Sequence, residues 1–169
     1  FGDVSRAGRF QHFQHAELGY TFETAWSPQL LIRFDYASRG FDSLYGARSF
    51  ELIPTGIFGP FDRSNIVSPG YRILVQPTER MGLLVQHRAW WLADAQAPWA
   101  GSGLQDPTGR SGPFLGQTVE LRFRWGVVAN AFLQVGFVHF AFGGYPQRVP
   151  GGPGQDHADY GYAQIELMF

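Results

Sequence analysis

Five arginines recur at strand-like spacing along the chain: Arg33, Arg72, Arg88, Arg122 and Arg124. Each falls on the polar parity of a segment whose alternate residues are apolar. In the stretch 118–125, TVELRFRW, Val119, Leu121, Phe123 and Trp125 take one face of a strand, and Thr118, Glu120, Arg122 and Arg124 take the other. A guanidinium grips a carboxylate or phosphate through two parallel N–H donors, and rings of arginine select anions in pores. The acids Asp35, Glu120 and Glu166 share the same parity. They either hold the arginines in cross-strand pairs or compete with an incoming anion. These eight residues are the candidate substrate-binding set. All 13 basic residues are arginine; lysine is absent.

Other constellations promise less chemistry. Asp156 and Asp159 flank His157 at i−1 and i+2 and could tune its protonation, but no nucleophile can be assigned beside it. A solvated polar loop is the simpler reading, and no enzyme is expected. His12 and His15 form an HxxH spacing, but on a strand i and i+3 point to opposite sides, so no metal is expected. Asp42, Asp62, Asp94, Asp106 and Asp156 lie in or beside loops without EF-hand spacing. The Gly/Pro stretch 143–154 lacks the following helix of a phosphate cradle. No cofactor is implied. There is no cysteine, which excludes disulfides and thiolate chemistry, and a net charge of −1 gives no field for nucleic acid. Trp90, Tyr160 and Tyr162 also fall on the polar parity; they either stack on sugar rings or pack.

Seven segments of period-two alternation must position these residues: 12–23, 29–39, 70–77, 80–92, 116–126, 130–142 and 158–169. Parity is weakest in the fourth and sixth, where a bulge would re-aim the upper residues and with them His87 and His139. The connections alternate in length. TAWSPQ, PTER and GVVAN are short; 40–69, 93–115 and 143–157 are long and rich in Gly, Pro and Asp. Long structureless loops are rare in a compact soluble domain. Placed all on one side of a sheet, they match the short periplasmic turns and long extracellular loops of outer-membrane barrels. The expected fold is all-β, an antiparallel up-and-down transmembrane barrel segment forming one unit over 1–169. No apolar run reaches the roughly 20 residues of a membrane helix, which excludes helical spans only.

Alternation alone does not say which face is inside. Three features put the apolar face outward. Tyr20, Phe22, Tyr36, Tyr71, Trp91, Trp125 and Phe169 place aromatic residues at strand ends on the apolar parity, as at membrane interfaces. The charges sit mid-strand. The chain ends YAQIELMF, alternating back from Phe169 in the manner of a C-terminal outer-membrane strand signal. The expected partners are therefore the lipid bilayer of a Gram-negative outer membrane and the assembly machinery that would read Phe169.

The order of FDSLYGARSF (41–50), RSNIVSPGYRI (63–73), RAWWLAD (88–94), FLGQTVELRFRW (114–125), HFAFGGY (139–145) and YAQIELMF (162–169) resembles the alginate-export family of outer-membrane proteins, from about residue 30 onward. The resemblance implies a barrel of about 18 strands, within the size range of such barrels, with an electropositive arginine-rich constriction that passes an anionic uronate polysaccharide outward. Bacterial single-chain barrels have even strand numbers. Seven strands therefore imply the C-terminal part of such a barrel, completed by N-terminal strands or a neighbouring chain. A partial strand within 1–10 would instead allow a self-contained eight-stranded barrel, whose interior side chains fill. Three functions stay open. One is a channel for an anionic polysaccharide or a smaller anionic solute. The second is a closed outer-membrane barrel that binds through its loops. The third is a soluble ligand-binding barrel with its apolar face inward.

Overall fold

The computed structural model describes residues 2–4, 10–41 and 61–168. Asp42, Phe169 and most of the stretch 41–50 lie outside those residues. The strands are β1 (Gly2–Val4), β2 (Phe10–Thr21), β3 (Gln29–Ala37), β4 (Ile66–Thr78), β5 (Met81–Trp91), β6 (Phe114–Val128), β7 (Ala131–Phe142) and β8 (His157–Leu167). They form one sheet in sequence order, each antiparallel to the next. Within the described residues the sheet is open: β8 pairs with β7 alone. The architecture is an all-β, up-and-down wall.

Three elements depart from the alternation pattern, the first being the three-residue β1 ahead of the first segment. β4 begins at Ile66, upstream of the segment expected from 70, because Ser68-Pro69-Gly70 reads as a turn. Pairing overrides that local preference: Asp35 lies opposite Ser68, Phe34 opposite Pro69 and Arg33 opposite Gly70. The connection after β7 holds one short helix, α1 (Gly144–Arg148), where no helical periodicity is visible.

The burial sense is inverted. Arg33, Asp35, Ser68, Gln86, Arg88, Thr118 and Glu120 are buried, while Leu18, Ile32, Ile73, Val85, Leu121, Phe137 and Ile165 are exposed. A soluble barrel requires the opposite arrangement. Register shifts occur only near strand ends, at Val75/Thr78, Trp90/Trp91 and Gly126/Val128. No bulge re-aims the fourth and sixth segments, so His87 and His139 stay on the outward face. There they meet Gln117 at 2.9 Å and Asp159 at 2.7 Å.

At the long-loop end the inner face turns apolar. Trp90, Leu115 and Phe140 from the strands gather Phe61, Trp99, Tyr145 and Val149 from the connections into one buried cluster. Phe61 stacks on Trp90 with centroids 3.8 Å apart. The loops that form this cap are tied to each other. The Asn65 side chain donates to the carbonyls of Asp94 and Pro98 and accepts from the Asp94 N–H. Arg148 donates to the Ser111 carbonyl.

At two inner-face positions glycine makes room for a side chain crossing from the next strand. A Cβ on Gly136 would lie 2.3 Å from the Tyr162 ring, which crosses β7 there. A Cβ on Gly70 would lie 2.5 Å from the His87 carbonyl oxygen and 2.7 Å from Arg88 Cγ. Gly70→Ala is expected to destabilise the folded barrel by about 1–3 kcal/mol, the usual penalty of overpacking. Urea titration of the detergent-folded protein checks this; an unchanged midpoint would remove Gly70 from the account of Arg88.

Candidate functional site

Strand pairing sorts the inner-face residues into rows. One row runs Glu17, Arg33, Gly70, Arg88, Thr118, Phe140. The next, toward the short turns, runs Gly19, Leu31, Arg72, Gln86, Glu120, Val138, Tyr160. Below it lie Leu84, Arg122, Gly136 and Tyr162, then Gly82, Arg124, Gln134 and Gln164. All eight candidate residues therefore share one face of one wall, since Glu166 follows Gln164 on the same parity of β8.

They are not equivalent. Arg88 and Asp35 are fully buried and form an ion pair. Arg88 also donates through Nε to Ser68 Oγ at 3.0 Å, and to the Ser68 carbonyl at 2.9 Å. His15 Nδ1 lies 2.6 Å from the other Asp35 oxygen. Arg33, also buried, pairs with Glu17 at 2.7 Å and donates to Gln86 Oε1 at 3.2 Å. Arg122 holds Glu120 at 2.7 Å. Arg124 reaches Glu166 at 3.3 Å, both about half exposed, and its guanidinium lies 4.2 Å from the Phe132 ring centroid. Arg72 donates through Nε to Gln86 Oε1 at 2.8 Å.

Burial grades these pairs. An exposed pair such as Arg124–Glu166 contributes about 0–1 kcal/mol and can exchange partners. Stripping one partner from a buried pair such as Asp35–Arg88 costs about 3–5 kcal/mol. The upper arginines thus hold the wall, and the partly exposed Arg72, Arg122 and Arg124 can meet a solute. Trp90 has no free face. Its indole donates to Thr118 Oγ1 at 2.9 Å, the Arg88 guanidinium sits 4.7 Å from its ring, and Phe61 covers it. Tyr160 and Tyr162 lie half-buried on the inner face, stacked 5.9 Å apart. Between Tyr160 and the cap is an apolar cavity of about 410 Å³ without a charged lining residue.

The alternation pattern named the arginines but not their holders Glu17, Gln86, Ser68 and His15. Their parity was a signal, yet which strand faces which is set by pairing across long separations. Among the described residues no group of three or more potential metal ligands comes together. Asp156 and His157 are adjacent on the exposed rim, 2.6 Å apart, with Asp159 held by His139.

Residues 1–151 match the alginate export family. The match starts well before residue 30 and ends before β8, so the YAQIELMF strand lies outside it. No curated protein and no solved structure matches the chain.

Two outcomes follow from this geometry. Asp35→Asn and Arg88→Met should each destabilise the fold by about 3–5 kcal/mol, and the double substitution by much less than their sum. Additive losses in urea titrations would dissolve the pair as a unit. In the capping loop, hydrogen bonds from Thr108 and then Ser111 hold the Asp106 carboxyl well below the usual range. Its stabilisation is therefore full above the ordinary aspartate value near pH ~4 and disappears only as pH falls through the depressed one. Hydrogen exchange should show the Thr108 and Ser111 amides protected at about pH 4. Asp106→Asn should lower that protection and remove its dependence on acid.

Proposed function

The chain belongs to the alginate-export family, and we propose that its inner face is one wall of an outer-membrane channel that passes an anionic polysaccharide or a smaller anionic solute. The family is an outer-membrane transport family of Gram-negative bacteria associated with polysaccharide export. The arginine wall, the anion selectivity and the outward loops are our reading for this chain.

One observation carries it: the arginines follow the slope of the apolar band. Strands of such barrels tilt by about 35–45°, so a row of paired residues climbs relative to the membrane plane. The outward apolar residues record that climb. On β2 they are Ala16, Leu18 and Tyr20, level by pairing with Gln117–Leu121 of β6. On β8 they are Ala163, Ile165 and Leu167, which start level with Phe123. Inside, Arg33 lies in the row of Thr118, Arg72 in that of Glu120, and Arg122 and Arg124 lie lower still. Arg33, Arg72 and Arg122 thus keep a nearly constant depth in the band, with Arg124 a step below Arg122 on β6 and the fully buried Arg88 a step above the slope. A ring at constant depth is how charge selects ions in a pore. A uronate polymer presents one carboxylate per sugar, which a guanidinium fork fits in plane.

Passage is passive in this reading. The half-exposed Arg124–Glu166 pair yields to a carboxylate and recovers after it leaves, which suits a polymer that must bind weakly. The extensive pairing of the arginines is also what a closed, filled barrel would show, and conductance separates the two. The open sheet is completed by further strands from elsewhere in the polypeptide or from a neighbouring chain. The full-length protein in planar bilayers should conduct with anion selectivity. Arg122→Glu combined with Arg124→Glu should shift the reversal potential toward cations. A sealed bilayer, or cation selectivity indifferent to those changes, would overturn the channel.

A further inference from the structure

We propose that Arg72 is the carboxylate-receiving subsite of this wall, and that Gln86 holds it in place without neutralising it. The proposal rests on the channel reading and names the site within it.

Charge on the inner face of β2–β8 is almost balanced. Each acid there pairs with one arginine: Glu17 with Arg33, Asp35 with Arg88, Glu120 with Arg122 and Glu166 with Arg124. Arg72 is the fifth arginine, and among the described residues its hydrogen bond is the one from Nε to the neutral Gln86 Oε1. With Nε engaged, both terminal nitrogens are left for the end-on fork that takes a carboxylate bidentately. Arg72 is only partly buried, whereas Gln86 is 1% exposed. The arginine is reachable and its anchor is not.

Gln86 occupies the position where an acid would be expected. Its one oxygen accepts from Arg72 at 2.8 Å and from Arg33 at 3.2 Å. A glutamate of the same shape would bind both guanidinium groups more tightly and cancel the surplus positive charge. Opposite Gln86 in the β5–β6 pairing lies Glu120, whose buried Oε2 accepts from no arginine among the described residues. That oxygen is a ready partner for a guanidinium. The Gln86 anchor keeps Arg72 engaged beside β5 and leaves Glu120 to Arg122. The neutral amide therefore sets both where the surplus charge points and that it survives.

The test uses the full-length protein in planar bilayers, with the reversal potential and block by tri-galacturonate as readouts and heat-modifiable gel migration as the folding control. Arg72→Gln and Gln86→Glu should each lower the anion-to-cation permeability ratio several-fold. Each should also weaken block by about tenfold, as expected for loss of a charged hydrogen bond. Gln86→Met keeps the charge and removes the anchor, so it should keep the permeability ratio and still weaken block. Wild-type readouts in Arg72→Gln or in Gln86→Glu overturn the subsite, and wild-type block in Gln86→Met overturns the anchor. Should Gln86→Glu fail to fold, Arg72→Gln and Gln86→Met decide alone. A wild-type pore without anion selectivity fails the channel reading first and takes the subsite with it. Selective wild-type conductance with unaltered variants fails the subsite only.

Discussion

The Asp35–Arg88 pair is the interaction on which the rest of the wall stands. Both groups are removed from water, at a desolvation cost of several kcal/mol per ion that good geometry must offset. The geometry is supplied from four strands. Arg88 crosses β4 over Gly70 to reach β3, takes Ser68 on the way, and leaves the second Asp35 oxygen to His15 of β2. A slip of one residue in any of these strands would turn its charged partner into lipid, so the pair fixes the register of β2 to β5. The cap depends on it too. The Arg88 guanidinium lies against Trp90, Trp90 carries Phe61, and Phe61 meets Trp99 and Phe140. The order of the long loops is thus built on a charge pair in the wall.

Below that anchor the wall loosens by degrees. Arg33 is buried and doubly held, Arg122 is partly exposed with one carboxylate, and Arg124 shares an exposed pair worth about 0–1 kcal/mol. This gradient suits the channel reading. In the proposed channel the buried pairs would stay put when an anion arrives, because exchanging them would strand a charge. The exposed ones can change partners at little cost.

Much of the fold was legible because strand alternation is local. Val119, Leu121 and Phe123 against Glu120 and Arg122 can be read from a dozen residues, and so can the contrast between PTER and the connection 93–115. The candidate arginines were legible for the same reason, since parity puts them on one face. What escaped is non-local. Ser68-Pro69-Gly70 has turn grammar, and only its neighbours show that Gly70 is there to let Arg88 pass. Trp90 has the parity of a sugar platform, but a residue from a distant connection covers it. Gln86 looked like one more polar position. Its importance comes from lying between Arg72 and Arg33, two strands' worth of pairing that no local pattern encodes. The short β1 and α1 are too brief to leave a period.

The free edge of β8 imposes the last constraint. In hydrocarbon every backbone N–H and C=O needs a partner, and each one left open costs several kcal/mol. Among the described residues, the eleven of His157–Leu167 pair on one side only. Their outward side chains Ala163, Ile165 and Leu167 place that edge at the depth of the apolar band. In the proposed channel a further strand therefore lies against β8, and the slope of the band says what it looks like. From β2 to β8 the apolar outward residues slide down the pairing rows toward the short turns, and closure requires that slide to continue around the barrel as its shear. On the strand that joins β8, the outward apolar residues must begin no higher than the row of Ala163. Any inner-face arginine meant to share the depth of Arg72 must pair at or below the level of Gln164.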